Sequence, residues 1–331
     1  MVTWVHVEEP TDDESAELVA SIELALGHQI HPVTEAHLRR RRTDLSHAFP
    51  RCESHYDRYL FGQLHLPTAM DDGVAEFFEL TYVATMTHVW SVIRSRPSKG
   101  PILDSFRSRL DRARDDASSY ETAGDLIGRL MTVVVSELEK ALDQTDAIVE
   151  SLTKEMESIE EDRHLSLAIK KRVPGLRYQV GDIRKELLGL GTVVDQMSSV
   201  VTSIVRDEVD LIGEVGGVET EFFGRTTEIW LQDTQIRAKR LRVVHDEQLE
   251  MLELITEGIR QLHEADEVTS GRFIGAIASI MLFPTFIVGL YGMNFEKMPE
   301  LHWHLGYVFA AILIVGVTVM QIRYFRGRGW L

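Results

Sequence analysis

An uncharged run of residues, from Phe273 to Tyr291, leads directly into Gly292-Met293-Asn294 near the C-terminus of the chain. The side-chain amide of Asn294 offers an oxygen atom, and oxygen atoms are the ligands that Mg²⁺ binds. A ring of amide oxygens could accept hydrogen bonds from the water shell of such an ion, without the tight trap that a ring of carboxylates would make. Gly292 permits an unusual backbone turn beside it. These residue types favour a site that selects hydrated cations.

Mostly small residues recur along the same run at steps of three or four, which places them on one face of a helix. They are Gly271, Gly275, Ala278, Leu282, Thr285 and Gly289. One interpretation is a pore lining, in which small side chains leave room for water and an ion. The other is close helix packing, for which Gly271-x-x-x-Gly275 is the usual motif. Pro284 leaves the carbonyl of Ile280 without its usual N–H donor. Water in a pore could hydrate this carbonyl, or the helix could simply be kinked at this point.

Both interpretations require a helix that crosses a membrane. At about 1.5 Å per residue the uncharged run approaches the roughly 30 Å of a bilayer core. A second apolar run extends from Leu305 to Ile322, after a short polar connection. The sequence therefore predicts that the chain ends in a helical hairpin through a membrane.

The charges around this hairpin predict its orientation. Arginine occurs at position 272 before the first run and at positions 323, 326 and 328 after the second. The connection carries Glu296 and Glu300 and a single lysine. By the positive-inside rule, both termini are cytoplasmic and the connection is external. A tail-anchored protein with a chance charge bias is the alternative. The two glutamates could concentrate cations at the outer surface, or they could be ordinary solvated loop acids.

Composition excludes several other classes of function. The net charge of the 331 residues is −17, which argues against a nucleic-acid partner and suits cations. The single cysteine, Cys52, excludes a disulfide within the chain and agrees with a reducing compartment. No secretory signal is expected at the N-terminus. The sequence contains no Walker-type phosphate loop and no nucleophile–base arrangement, so neither a nucleotide site nor an enzyme is predicted.

The first part of the chain has the pattern of a mixed α/β domain. Predicted strands cover 2–7, 59–66, 76–86 and 89–93, and predicted helices follow Thr11 as far as Leu26 and run from 31 to 42. From about 120 the pattern becomes helical and acidic, with a predicted break at Val173-Pro174-Gly175 and a loop around Gly213–Gly217. One long helix then starts near 227. Its apolar residues recur at helical spacing on one face.

The tetrapeptide Tyr291-Gly292-Met293-Asn294 at the end of the first span, followed by Met298-Pro299-Glu300-Leu301, resembles the signature of the CorA family of divalent-cation channels. The resemblance implies an α/β cytoplasmic domain, a long α-helical stalk and two C-terminal transmembrane helices, assembled as a CorA-like homo-oligomer. It implies a homopentamer whose pore is lined by the first span. Gly292, Met293 and Asn294 would form the selectivity filter.

The same resemblance implies a division of the chain and a set of pore residues. The predicted segments are 1–118 (cytoplasmic α/β domain), 119–225 (acidic helical hairpin region), 226–292 (stalk helix continuing into the first span at about 273–292), 293–304 (external loop), 305–323 (second span) and 324–331 (basic tail). The residues expected to line or gate the pore are Ile274, Ala278, Leu282, Thr285 and Gly289.

Regulation by intracellular metal is a further implication of the family. Its members bind metal between neighbouring cytoplasmic domains, which holds the channel shut. Counted back from Asn294, Asp233 falls where the family carries a stalk acid of this kind, and Asp71 or Asp72 is the expected facing acid. The alternative is that Asp233 is an exposed helical aspartate without a role.

The sequence thus predicts passive transport of divalent cations across the plasma membrane, driven by the membrane potential. Mg²⁺ uptake is favoured, and Co²⁺ or Ni²⁺ could also pass. Mg²⁺ is both the transported and the regulatory ion, with no organic cofactor. A zinc transporter of the same family is one alternative, and a non-conducting membrane-anchored metal sensor or scaffold is another.

Overall fold

The computed structural model describes residues 2–40, 50–71, 74–94, 101–161, 167–293 and 304–331. The chain divides into two compact units, Met1–Thr256 and Glu257–Leu331. Unit 1 contains a five-stranded sheet with the order β1-β5-β4-β3-β2. Its strands are β1 (Thr3–Glu8), β2 (Arg51–His55), β3 (Tyr59–Asp71), β4 (Val74–Ala84) and β5 (His88–Arg94). β1 is parallel to β5, whereas the other neighbours are antiparallel.

Capping residues define both ends of helix α1 (Asp12–Leu26). The hydroxyl of Thr11 accepts a hydrogen bond from the backbone N–H of Glu14, and the Glu14 carboxylate accepts one from the backbone N–H of Thr11. This reciprocal capping satisfies two otherwise free donors. Gly27 ends the helix with φ 72°, a conformation that favours glycine. The predicted start at Thr11 is confirmed. The next helix, α2 (Pro32–Leu38), begins after His31 as predicted but ends at Leu38, before the predicted end at 42.

The sheet is buried on both faces. One face carries Phe61, Val83 and Trp90, which pack against Leu18 and Ile22 of α1. The other face carries alternate residues of the same strands, which are fully buried: Leu60, Leu64, Leu80, Tyr82 and Ile93. Strands β3 and β4 contact α4 (Ala123–Glu161) and α5 (Leu167–Val205). Because successive side chains of a strand point to opposite faces, both helical layers are anchored by one set of strands.

Two helices after the sheet form an antiparallel pair: α4 (Ala123–Glu161) and α5 (Leu167–Val205), preceded by α3 (Pro101–Asp115). The break predicted at 173–175 is wrong, because Pro174 lies inside α5. Proline removes one main-chain hydrogen bond there. The buried side chains that follow, Leu176 and Val180, anchor the helix by tertiary packing.

A hairpin, β6 (Ile212–Val215) and β7 (Val218–Glu221), stands where the sequence predicted only a loop. Its two-residue turn is Gly216-Gly217, with φ values of 62° and 84°. The tightest hairpin turns require positive φ at both central residues, which glycine supplies without strain. Strand β2 was also not predicted, because its sequence, Arg-Cys-Glu-Ser-His, is too polar for a strand signal.

Helix α6 (Arg225–Tyr291) is one continuous helix of 67 residues. Within unit 1 it packs beside α4 and α5. The hydroxyl of Thr145 donates to the side-chain carbonyl of Gln248 at 2.8 Å, and Nε2 of His245 lies 2.9 Å from the carbonyl oxygen of Leu187. The apolar face predicted for α6 includes Leu241, Leu252 and Ile255, which are buried.

Among the described residues, three helices are long and apolar enough to cross a membrane: Arg172–Val205 of α5, α6, and α7 (Gly306–Gly327). Packing distinguishes them, because 44% of the apolar window of α5 is buried inside the protein, against 11% for α6 and 6% for α7. The apolar surfaces of α6 and α7 therefore need an apolar surrounding that the described part of the chain does not supply. The predicted fold class, an α/β region with long helices and two C-terminal apolar helices, is confirmed.

Candidate functional site

The C-terminal part of α6 and helix α7 form an antiparallel hairpin within unit 2. The side-chain amide of Gln321 donates to the main-chain carbonyl of Ser279 at 3.3 Å. Ala276 and Ile287 of α6 are buried, as are Gly306 and Phe325 of α7. Because Ala276 and Ile287 are separated by three helical turns, they define the single face of α6 that packs inside the hairpin.

The predicted pore residues lie on the opposite face of α6. At 100° per residue, Ala278, Leu282 and Gly289 point about 130–170° away from the line through Ala276 and Ile287. Ile274 is 66% exposed and Leu282 is 70% exposed in the single chain. The structure thus brings all five predicted pore residues together on one exposed stripe, which comprises Ile274, Ala278, Leu282, Thr285 and Gly289.

The glycines in and beside this stripe do not serve packing within the described part of the chain. A Cβ added at Gly271, Gly275 or Gly289 would meet no atom within 4 Å. A larger residue would therefore fit in the isolated chain. The small residues along this face leave space either for a second copy of the helix or for water and an ion.

Thr285 supplies the one hydroxyl of the stripe. It donates to the carbonyl oxygen of Met281, one turn earlier, at 2.7 Å. Because a hydroxyl oxygen also carries acceptor lone pairs, Thr285 can still receive a hydrogen bond from water.

The end of α6 leads into the predicted filter. The backbone N–H of Gly292 donates to the carbonyl oxygen of Val288 at 2.9 Å, and Met293 is exposed. A Cβ at Gly292 would lie 3.1 Å from that carbonyl oxygen, so glycine permits the close approach of the backbone. Asn294, Glu296 and Glu300 lie outside the described residues.

A cavity of about 580 Å³ separates the helices at this end of the hairpin. It is lined by Ile287 and Tyr291 of α6, by Gly292 directly after that helix, and by Gly306, Ala310 and Ile314 of α7, among others. Since Gly306 and Ala310 contribute little side-chain volume, the two helices leave room beside the predicted filter.

The predicted regulatory acids lie in unit 1. Asp233 is exposed on α6, and Asp71 is the last residue of β3. Asp72 lies outside the described residues. Within the described part of one chain, no group of three or more His, Cys, Asp or Glu residues could hold a metal ion. A metal held by these acids would therefore need a further ligand, from water or from a second copy.

Sequence reasoning missed a second exposed stripe, on the unit 1 part of α6. Ile229, Ile236 and Val243 recur at seven-residue intervals and are all exposed. Seven residues are close to two turns of a helix, so the three side chains share one face. Heptad spacing could have revealed this stripe. Repeated apolar residues exposed on one helix face are typical of contact with another helix.

Comparison with known proteins identifies a matching protein family and related sequences. A family model described as "CorA-like Mg2+ transporter protein" matches residues 1–326. The magnesium transport protein CorA of Helicobacter pylori is 49% identical over 51 residues, which span 15% of this chain and 16% of that relative. The cobalt/magnesium transport protein CorA of Thermotoga maritima is 25% identical over 291 residues, covering 86% of this chain and 74% of the relative.

Two solved structures share the fold. The CorA magnesium transporter from Methanocaldococcus jannaschii has a TM-score of 0.68 at 14% identity and covers 99% of this chain and 91% of its own. The cytoplasmic domain of ZntB from Vibrio parahaemolyticus has a TM-score of 0.53 at 12% identity and covers 81% of this chain and 89% of its own. At these identities the likeness establishes the architecture.

Proposed function

The chain belongs to the CorA-like Mg²⁺ transporter family, and we propose that it transports divalent metal cations, Mg²⁺ foremost, through a pore lined by α6. One observation carries this proposal. The small-residue stripe lies on the face of α6 opposite to α7, exposed in the single chain. A stripe in this position is available to face a central axis, whereas a packing motif within the hairpin would be buried.

Such a pore requires several copies of the chain, because two helices cannot enclose a channel. The exposed heptad stripe of Ile229, Ile236 and Val243 supports contact between copies in unit 1. The family resemblance favours a homopentamer. In that assembly Ile274, Ala278, Leu282, Thr285 and Gly289 line or gate the pore.

Gly292, Met293 and Asn294 form the proposed filter at the end of this stripe. Mg²⁺ gives up its water shell reluctantly. A ring of Asn294 amides recognises the hydrated ion through hydrogen bonds, and the selection then depends on the size and charge of the water shell. Glu296 and Glu300 add negative charge on the same side.

Transport is driven by the membrane potential. A potential of 100 mV contributes about 2.3 kcal/mol per charge, so about 4.6 kcal/mol for a divalent ion that moves inward. That energy suffices for uptake without a nucleotide. In this proposal both termini lie in the cytoplasm. The arginines before the first span and after α7 support this orientation, because positively charged residues favour the cytoplasmic side of a membrane.

Intracellular Mg²⁺ closes the channel in this proposal. Many like charges in unit 1 repel one another, and a divalent ion between copies relieves that repulsion. Asp233, Asp71 and Asp72 are the proposed regulatory ligands. Because α6 is continuous from Arg225 to Tyr291, a shift at Asp233 can reach Thr285 through one helix.

A zinc transporter is the second candidate, favoured by the shared fold with the ZntB cytoplasmic domain. The filter sequence does not separate the two metals. The small-residue stripe argues against a non-conducting sensor. In an assembly that carries no ions, bulky residues would be expected to fill the central axis.

Ion flux into proteoliposomes tests the proposal. The full chain is reconstituted, an inside-negative potential is set with K⁺ and valinomycin, and entry of Mg²⁺, Zn²⁺, Co²⁺ and Ni²⁺ is followed with internal dyes. We expect potential-dependent Mg²⁺ entry that Gly289→Val strongly reduces. Gly316→Val on α7 is the matched control, since a Cβ there also meets no atom within 4 Å. Absence of entry for all four metals would contradict transport, and preference for Zn²⁺ would favour the second candidate.

A further inference from the structure

The C-terminal end of α7 carries three arginines without acidic partners. Arg323, Arg326 and Arg328 are exposed, and in the part of the chain that the structure describes no carboxylate lies within 4 Å of them. The sequence explains this, because between Val268 and Leu331 the only acids are Glu296 and Glu300, in the connection at the other end of the hairpin.

The arginines are also not needed to cap the helix. The last carbonyl groups of a helix lack N–H donors within the helix. Here the backbone N–H of Arg328 donates to Tyr324, that of Gly329 to Arg326, and that of Trp330 to Phe325, at 3.2, 3.1 and 3.0 Å. Because the backbone itself satisfies these carbonyl groups, the guanidinium groups remain available for an external anion.

Aromatic residues fix the tail against the helix. The ring of Trp330 stacks on that of Phe325, with centroids 5.6 Å apart, and the guanidinium of Arg328 lies 5.2 Å from the centre of the Tyr324 ring. Trp and Tyr favour the boundary between hydrocarbon and water. This end of α7 therefore has the composition of a surface at headgroup depth.

Apolar surface continues directly from the arginines. Ile312, Val315 and Val319 are exposed, and at 100° per residue they share the face of Arg323 and Arg326, away from α6. The Ser279–Gln321 hydrogen bond sets the antiparallel register, which brings Arg272 of α6 to the level of Arg328. The hairpin end thus offers positive charge and, beside it, a strip for hydrocarbon chains.

We propose that Arg323 and Arg326 bind the phosphate of an anionic glycerophospholipid whose acyl chains lie along Ile312, Val315 and Val319, and that Arg328 adds positive charge at the same depth. Guanidinium groups bind phosphate oxygens by charge-assisted hydrogen bonds in pairs. A zwitterionic lipid has the same phosphate, but its positively charged ammonium group is repelled by the arginines. The site therefore prefers an anionic headgroup such as phosphatidylglycerol.

Native mass spectrometry of the full chain, released from mixed detergent–lipid micelles, tests this proposal independently of ion transport. Dioleoylphosphatidylglycerol and dioleoylphosphatidylcholine are supplied in equal amounts, and retained lipid is counted for each assembly. We expect the wild type to retain phosphatidylglycerol preferentially. Each arginine near an anionic surface strengthens binding about fivefold, so Arg323→Gln/Arg326→Gln/Arg328→Gln should lower the preference about 100-fold.

Two comparisons separate this site from general attraction. Arg177→Gln/Lys239→Gln/Arg240→Gln removes the same charge from exposed positions of unit 1 and should leave lipid retention unchanged. The triple Arg→Lys variant keeps the charge and should retain most of the preference, which also covers the case in which the Gln variant does not fold. Equal retention of both lipids by the wild type would overturn the proposal. So would displacement of the lipid by millimolar inorganic phosphate, or loss of retention only in the unit 1 control.

Discussion

The side chain of Gln321 on α7 donates a hydrogen bond to the main-chain carbonyl of Ser279 on α6, at 3.3 Å. This contact ties the two apolar helices together one residue before Ile280, whose carbonyl lacks a donor because residue 284 is proline. In lipid such a hydrogen bond has no competition from water. It holds α6 with Ala276 towards α7 and with Leu282 and Thr285 on the outer face, so it orients the proposed pore lining.

Replacement of Asn294 should remove selective Mg²⁺ entry. Asn294→Ala deletes the amide that accepts hydrogen bonds from the water shell, and Asn294→Asp adds a ring of charges that holds the ion too tightly. We expect at least a tenfold loss of Mg²⁺ flux into proteoliposomes for both variants. Size-exclusion chromatography should show unchanged assembly. Normal flux and selectivity in both variants would remove Asn294 from the filter.

Topology can be measured with a single introduced cysteine. Glu296→Cys should react with a membrane-impermeant thiol reagent from outside the cell, and Leu331→Cys only after permeabilisation. Native Cys52 gives little background, because burial raises the pKa of its thiol to about 12, but Cys52→Ser removes it altogether. Labelling of position 296 from the cytoplasmic side only would reverse the orientation.

Internal Mg²⁺ should reduce the current through the wild-type channel. A metal between copies relieves repulsion among acids, so Asp233→Asn/Asp71→Asn/Asp72→Asn should raise the Mg²⁺ concentration needed for closure several-fold. Current against internal Mg²⁺ in excised patches measures this. Asp115→Asn/Asp116→Asn/Asp143→Asn is the charge-matched control. A wild-type current independent of internal Mg²⁺ would refute closure by internal Mg²⁺. Closure of the Asp233→Asn/Asp71→Asn/Asp72→Asn variant at the same Mg²⁺ concentration as the wild type would exclude these three acids as the sensor.

Gly191 on α5 should resist substitution, unlike Gly181 on the same helix. A Cβ at Gly191 would lie 2.3 Å from Nε2 of His245, which holds the Leu187 carbonyl, whereas a Cβ at Gly181 meets no atom within 4 Å. Gly191→Ala should lower the free energy of unfolding by about 2 kcal/mol. Gly181→Ala should raise it by about 0.5–1 kcal/mol. Thermal unfolding of the detergent-solubilised chain measures both, and equal effects would contradict the close packing of His245.

Glu186 should make stability depend on pH. It is 4% exposed, and in the described structure its Oε1 has no hydrogen-bond partner. Burial raises its pKa to about 7. Between about pH 4.5 and 7 the native state keeps a proton that the unfolded state releases, so the free energy of unfolding falls as pH rises through this window.

Glu186→Gln should abolish this contribution. At pH 8 the variant should be more stable than the wild type by roughly 2–3 kcal/mol, and at pH 4.5 the two should agree. Unfolding temperatures measured across that range provide the comparison. Glu157→Gln, an exposed glutamate of α4, is the control that should leave the pH profile unchanged. A constant difference between wild type and Glu186→Gln at every pH would contradict the prediction.

The sequence by itself determined the membrane hairpin and the position of the candidate filter. Both depend on local properties. An uncharged run long enough for a bilayer must form a helix in lipid, and Gly292-Met293-Asn294 follows its end directly. The start of α1 was equally accessible, because the hydrogen bonds of Thr11 and Glu14 involve residues three positions apart.

Only the tertiary structure decided which segments meet. Strand β2 pairs with β3 although its own residues are polar, and Pro174 stays inside α5 because the residues after it are buried. The sequence left the small-residue stripe open between packing and lining. The structure places it away from α7, since Gln321 and the buried Ala276 fix the rotation of α6. Burial of Glu186 likewise depends on neighbours far away in the chain. Periodicity reports which residues share a face, but the free energy of burial depends on what that face contacts.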